Sequence, residues 1–193
     1  MQHNLPRCAW AGSDPLMIAY HDDEWGVPCY DDGALFERLV LETFQAGLSW
    51  STILHKRERF RRAFEGFDPV RIAGYGAADV ERLMGDAGIV RNRLKINATV
   101  RNAQAFLAVQ REHGTFSDYL WRWVDGRPLR HPQGYTQGAL PAHTPLSDAL
   151  SKDLKRRGFT FVGTTIVYAF MQSVGMVDDH VAGCFKFAPR AEE

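Results

Sequence analysis

A lone acid inside an apolar run is the first feature of this sequence with chemical consequence. The stretch "LVLETFQAGLSW", residues 39–50, carries one carboxylate, Glu42, and closes on a glycine-bearing turn and Trp50. On a helical wheel at about 100° per residue, Leu35, Leu39 and Glu42 share the face that should meet the core. A charge there is costly unless something compensates it. Two compensations are open from the residues: an ion pair with Arg38 one turn earlier, or a ligand. Trp10, Tyr20, Trp25 and Trp50 bracket the segment. Most aromatics build cores, but a carboxylate within an aromatic pocket suits a planar cation. Each ring face attracts such a charge by roughly 0.5–2 kcal/mol, and the carboxylate accepts its N–H donors.

Soft metal ligands cluster at the two ends of the chain. Cys8 and His21 lie early, and "HVAGC" places His180 and Cys184 four residues apart, the spacing that points two side chains the same way from one helical turn. A Cys2His2 set with no open position makes a structural zinc site rather than a reactive one. The spacing of the first pair matches no familiar finger. Cys29 or His3 could stand in, and two unrelated pairs of surface or core residues remain the plain alternative.

A third constellation is "VERLMGDAGIVRNRLKI", residues 80–96, which reads as helix, glycine-bounded turn, helix. Gly85 and Gly88 allow a tight turn that exposes backbone N–H groups, and Arg91, Arg93 and Lys95 follow near the positive end of the second helix. Both features suit a phosphate oxygen. The stretch looks like a degenerate helix-hairpin-helix element; an αα-corner with a solvated basic face is its alternative. The basic clusters "HKRERFRR" and "KDLKRRG" add to the phosphate reading.

The elements that must position these residues are helical. Asp14-Pro15, Asp68-Pro69 and Thr144-Pro145 each set a capping side chain before a proline suited to a first turn. Further helices are expected over residues 33–46, 50–64, 78–85, 91–113, 116–123, 145–157 and 163–174. Gly47, Gly88, Gly114, Gly158 and Gly175 fall near their ends. Short stretches such as "FTFVG" could be strands, but no long alternating pattern supports a sheet. Residues 125–143, rich in Gly, Pro and Gln, read as a surface excursion. The chain of 193 residues is long enough for one well-buried core, so a single all-α domain over 1–193 is expected. Its 23 basic and 23 acidic residues balance, which excludes a global field towards nucleic acid or membrane. No signal peptide or membrane-length apolar run is present, and three scattered cysteines argue against a disulfide framework. A cytoplasmic protein is expected.

Taken together, "RCAW", "DPLMIAYHDDEWGVP", "LFERLVLETFQAGLSWSTILHKRERFR", "DAGIVRNRLKI" and "SDALSKDLKRRGFTFVGTTIVYAFMQSVGMVDDH" resemble the DNA-3-methyladenine glycosylase I family, from about Arg7 to Cys184. The resemblance implies an α-helical variant of the helix-hairpin-helix glycosylases, acting in base excision repair on alkylated double-stranded DNA. It implies that 3-methyladenine is flipped out and its N-glycosidic bond hydrolysed. Cys8, His21, His180 and Cys184 match the family's zinc ligands, one Zn2+ fastening the two termini. Glu42 and Trp50 match its base-recognition residues, with Trp10 and Tyr20 completing the pocket. Met17 stands where the family commonly has a tyrosine, so a thioether replaces one aromatic wall.

Glu42 is thereby the candidate catalytic side chain, as acceptor for the base's amino edge; the sequence gives no ground for making it the base that activates water. Leu48, beyond Gly47, is expected at an exposed tip, able to wedge into the space a flipped nucleotide leaves. Gly88, Arg91, Arg93 and Lys95 are the expected DNA contacts. Nothing implies a membrane or a protein partner, so a monomer is expected. The competing reading is a non-catalytic, zinc-stapled helix-hairpin-helix module that binds DNA without excising a base.

Overall fold

The computed structural model describes residues 5–187, so His3 lies outside the described residues. The chain is helical as expected. In order, the helices are α1 (Pro15–Asp23), α2 (Asp32–Gln45), α3 (Trp50–Leu54), α4 (Arg57–Ala63), α5 (Pro69–Ala73), α6 (Ala77–Gly85), α7 (Arg93–His113), α8 (Phe116–Trp121), α9 (Pro145–Arg156) and α10 (Thr164–Ser173). The three Xaa-Pro starts behave as their chemistry dictates. Asp14 accepts from the Leu16 N–H, Asp68 from those of Val70 and Arg71, and Thr144 from that of Ser147.

The stretch expected as one helix over residues 50–64 is two. The α-helical hydrogen bonding is interrupted by a turn at 55–56, where Lys56 N–H bonds the Ile53 carbonyl three residues back. The break re-aims α4, whose Arg57 and Arg61 then meet Glu37 of α2. "FTFVG" forms no strand; it is the turn joining α9 to α10, with Phe161 left-handed at φ 55°. The residues pairing as strands instead are β1 (Leu129–Arg130) and β2 (Val177–Asp178), parallel, with Leu129 opposite Val177.

α2 is the organising element. It packs against α7, α8 and α10, while α5 lies along α7 and α9 along α10. Leu35, Phe36, Leu39, Val40 and Phe44 of α2 are fully or almost fully buried, and they meet Phe60, Phe64, Phe106 and Phe170 in the main core. A second, smaller apolar cluster joins Cys8, Met17, Tyr20, Trp25, Leu54, Val181 and Cys184. The 125–143 excursion is tied to that cluster: Tyr135 O accepts from Ala182 N, and Gln137 bonds the backbone of Arg7 and Ala9. No helix among the described residues is long and apolar enough to cross a membrane.

Candidate active site

Glu42 sits where the wheel put it, on the buried face of α2 with Leu35 and Leu39, and is 3% exposed. The ion pair with Arg38, one of the two compensations open from the residues, does not form. Arg38 donates instead to the Ser173 carbonyl and lies 3.6 Å from Glu24. Burial pushes the Glu42 carboxyl up to about 8, and the charge of Arg38 at a distance only partly opposes that. Among the described residues Glu42 has no hydrogen-bond or ion-pair partner.

What Glu42 faces is a cavity of about 440 Å³. Its walls are Trp10, Met17, Tyr20, Trp25 and Trp50, with Leu140 reaching in from the 125–143 excursion and Gln45, Ser49, Ser51 and Gln172 adding polar edges. The rings brace one another: Tyr20 and Trp50 have centroids 5.0 Å apart, as do Trp10 and Trp25. Tyr20 is 4% exposed, and burial first, then the neighbouring Glu42 charge, raises its hydroxyl well above the usual phenol range. The indole N–H groups of Trp10 and Trp50 are buried with no partner among the described residues. A cavity walled by aromatic faces and bearing an unneutralised carboxyl suits a planar ligand with its own polar edge.

The turn after α2 delivers one side of this cavity. Gly47 adopts φ 79°, which only glycine takes at no steric cost, and Leu48 N closes on Gln45 O at 2.7 Å. Gln45 Nε2 in turn donates to Leu48 O. Leu48 is left 38% exposed at the tip, and Ser49 caps α3 so that Trp50 begins it.

At the other flank the chain ends meet. Cys8, His21 and Cys184 are buried, with their ligand atoms all within 4.8 Å of one another. Cys184 Sγ lies 3.4 Å from His21 Nε2, close to the roughly 3.5 Å that tetrahedral zinc sets between an imidazole nitrogen and a thiolate. His180 stands beside this trio, its ring centroid 5.0 Å from that of His21, with Nε2 buried and unpartnered. Both histidines are held by their other nitrogen. His21 Nδ1 meets Asp22 at 2.7 Å, and Asp22 is gripped by Arg7; His180 Nδ1 meets Asp178 at 2.7 Å, and Asp178 is gripped by Arg130. A carboxylate behind each imidazole fixes its tautomer with Nε2 free to ligate. Gly26 allows the approach, since a Cβ there would lie 2.8 Å from His180 Cε1. The donor set thus fits a tetrahedral zinc ion. Cys29 stands apart, half-buried against the main core.

The basic hairpin is rebuilt by the structure. Lys95 was expected on phosphate; it is 6% exposed, and its Nζ donates to Phe44 O at 2.8 Å and Ala46 O at 2.6 Å. An ammonium spent on two carbonyls in the interior is no surface cation, so Lys95 leaves the DNA-contact set. Arg93 remains exposed but is bidentate on Glu81. The Gly88 N–H, expected to be open, is taken by Asp86 Oδ1 at 2.7 Å. Arg91 is exposed. Arg59 and Arg62 of α4 line a cleft with Asp86 and Gly88. The charge run around them was visible in the sequence, but not which arginines turn outward.

Fold and pocket together define a helical protein built around an acid-bearing aromatic cavity. The chain belongs to the methyladenine glycosylase family, whose model matches residues 10–187. DNA-3-methyladenine glycosylase 1 of Escherichia coli (strain K12) is 53% identical over 180 residues, which is 93% of this chain and 96% of that protein. A crystal structure of 3-methyladenine DNA glycosylase I superposes with a TM-score of 0.91 at 52% identity, covering 95% of this chain and 100% of that one. A tyrosine-to-phenylalanine variant of 3-methyladenine DNA glycosylase I, solved in complex with 3-methyladenine, superposes with a TM-score of 0.88 at 39% identity, covering 93% and 96%.

Proposed function

We propose that this chain is a DNA repair glycosylase that excises 3-methyladenine from alkylated DNA. The observation that carries the reading is Glu42: a buried carboxyl with no protein partner, facing an aromatic cavity. Family membership and a relative bound to 3-methyladenine support the same substrate.

The chemistry asks little of an acid. Methylation at N3 leaves the base cationic, so when the bond from C1′ to N9 breaks, its electron pair neutralises the departing base. Water adds to C1′ and loses a proton, leaving an abasic sugar. The protein must take the base out of the stack, hold it, and tell it from adenine. Unstacking costs a few kcal/mol, least for a damaged base. Glu42 supplies the discrimination. Burial raises its carboxyl to about 8 and so favours the neutral form. A cationic base favours the carboxylate and donates its amino hydrogens to it, while neutral adenine brings no charge to offset burial of that anion. Trp50 and Tyr20 contribute ring faces, and Leu48 fills the vacated stack.

Cys8, His21, His180 and Cys184 would hold one zinc ion, with no open position for chemistry. When bound, the ion supplies folding free energy and ties the N-terminal segment carrying Trp10 to the C-terminal one. Stringent chelation or Cys184→Ala should release one equivalent of zinc and lower the melting temperature sharply. Metal analysis of pure protein showing no zinc would overturn this part. The 86–92 turn and Arg91 serve as a helix-hairpin-helix-like contact to the DNA backbone, with Arg93 joining once it leaves Glu81.

Release of free 3-methyladenine from methylated duplex DNA tests the whole reading. Firm DNA binding without release would make the chain a binding module instead.

A further inference from the structure

One buried cation has no task in this scheme. Lys95 lies in the first turn of α7, where the helix dipole opposes a positive charge, and the interior offers it no carboxylate. Its partners are the carbonyls of Phe44 and Ala46, two and four residues beyond Glu42. The last carbonyls of a helix lack partners within it, and a cation there also meets the negative end of the dipole. What is unfavourable for α7 is therefore favourable for α2. Lys95 caps the helix that bears Glu42, from a helix that starts directly after the 86–92 turn.

We propose that Lys95 is a positioning residue for base excision, clamping the end of α2 so that Glu42 and the Leu48–Trp50 turn hold one geometry. The clamp touches both halves of the recognition machinery. Upstream, the Phe44 carbonyl belongs to the same helical turn as Glu42. Downstream, the Ala46 carbonyl fixes where the chain leaves α2, and hence where Gly47 turns, where Leu48 projects and where Trp50 starts α3. No other side chain among the described residues hydrogen-bonds these two carbonyls. The proposal rests on the cavity being a base pocket, and the wild-type release assay tests that separately.

The test compares wild type with Lys95→Met, which keeps the stem and removes every donor, and Lys95→Gln, which restores N–H donors without charge. Four quantities are read below the melting temperature of each variant: single-turnover excision from methylated duplex, affinity for free 3-methyladenine, affinity for undamaged duplex with its salt slope, and amide exchange over residues 46–49. Lys95→Met should excise about 10- to 100-fold more slowly, the scale of a misplaced recognition group. It should lose base affinity in parallel and exchange faster over 46–49, while undamaged duplex binds with unchanged slope. Lys95→Gln should recover much of both losses. Faster exchange with excision and base affinity intact would make Lys95 a residue of the fold only and overturn the proposal. A salt slope lowered by about one with base affinity intact would return it to the DNA backbone and overturn it equally. If Lys95→Met does not fold, Lys95→Gln alone decides: residual losses of excision and base affinity alongside faster exchange over 46–49 support the clamp, and faster exchange with both intact overturns it.

Discussion

α2 carries two buried glutamates, Glu37 and Glu42, and the fold treats them in opposite ways. Glu37 accepts from Arg57 Nε at 2.5 Å and Arg61 Nε at 3.0 Å, and Arg57 also spans to Glu24. Every charge in that cluster is matched, which is what a carboxylate inside a protein requires. Less than two turns further on, Glu42 is deeper and has only the distant field of Arg38. Lys95, which reaches the end of the same helix, is given to carbonyls. One end of the helix is finished as structure; the other is left unfinished and opens on a cavity. The difference locates the binding function within a single element, because a fold that could neutralise Glu37 twice had the means to neutralise Glu42 and did not.

The comparison breaks first at Glu37. Glu37→Gln takes from Arg57 and Arg61 the carboxylate they share and leaves them only Glu24 and Glu58. The loss of stability should reach at most about 3 kcal/mol, the low end of what a stranded buried charge costs. Excision per folded molecule should be unchanged. A denaturant melt and a single-turnover assay check this together. Lost excision in a fully folded variant would show that the ion-pair cluster acts on the pocket.

Glu42→Gln should do the reverse. Replacing a charge-assisted acceptor by a neutral one loses roughly 1.5–3 kcal/mol of recognition, or about 10- to 100-fold in excision. Stability should rise, with a definite pH dependence. The carboxyl moves from an ordinary 4.5 in the unfolded chain to about 8 when buried. Below the first value both states are protonated and nothing is lost. Between the two, only the unfolded chain releases its proton, so wild-type stability falls as pH rises, and above the second value the loss is complete. Glu42→Gln lacks this term. Its advantage over wild type should therefore grow from pH 5 to pH 8, reaching a few kcal/mol, and then level off. A flat difference across that range would mean that Glu42 is ionised in the empty pocket after all.

Leu48→Ala probes the open end of α2 from the DNA side. The exposed tip makes no contribution to holding a free base, so affinity for 3-methyladenine should stay as in wild type. Excision from duplex should fall about tenfold, part of the few kcal/mol that unstacking demands. Equal losses in both assays would place Leu48 in the wall of the pocket instead.

Much of this was legible in the sequence because it depends on local rules. Helical periodicity placed Glu42 with Leu35 and Leu39, and the side-chain caps at Asp14, Asp68 and Thr144 announced their helices. Gly47 marked the turn that exposes Leu48. What was not legible depends on neighbours distant in sequence. Arg38 one turn before Glu42 stood as a possible partner for it, and only the position of α10 shows its guanidinium drawn to Ser173 O. Lys95 looked like a phosphate ligand, since a lysine at a helix start gives no sign that another helix ends beneath it. Leu140 came from a segment whose composition spoke only of loop. The zinc-type ligands were visible as residue types, but the Asp22 and Asp178 supports that orient both imidazoles appear only when the termini meet.

Met17 offers the finest test of the claim that this end of the molecule is left open for a ligand. It lies one turn before Tyr20 on α1 and is 8% exposed in the cavity wall. A thioether meets a base through dispersion and polarisability, with no quadrupole to attract a cation. Met17→Tyr should add one ring face, contributing about 0.5–1 kcal/mol, or roughly two- to fivefold tighter binding of the cationic base. The opposing term is overpacking, which costs about 1–3 kcal/mol where a larger side chain has no room. At Met17 the cavity of about 440 Å³ adjoins the side chain, so the ring can extend into space already empty and the melting temperature should hardly move. A lower melting temperature with weaker base binding would mean that this wall is packed as tightly as the core, and that only Glu42 itself, not the pocket around it, was left unfinished.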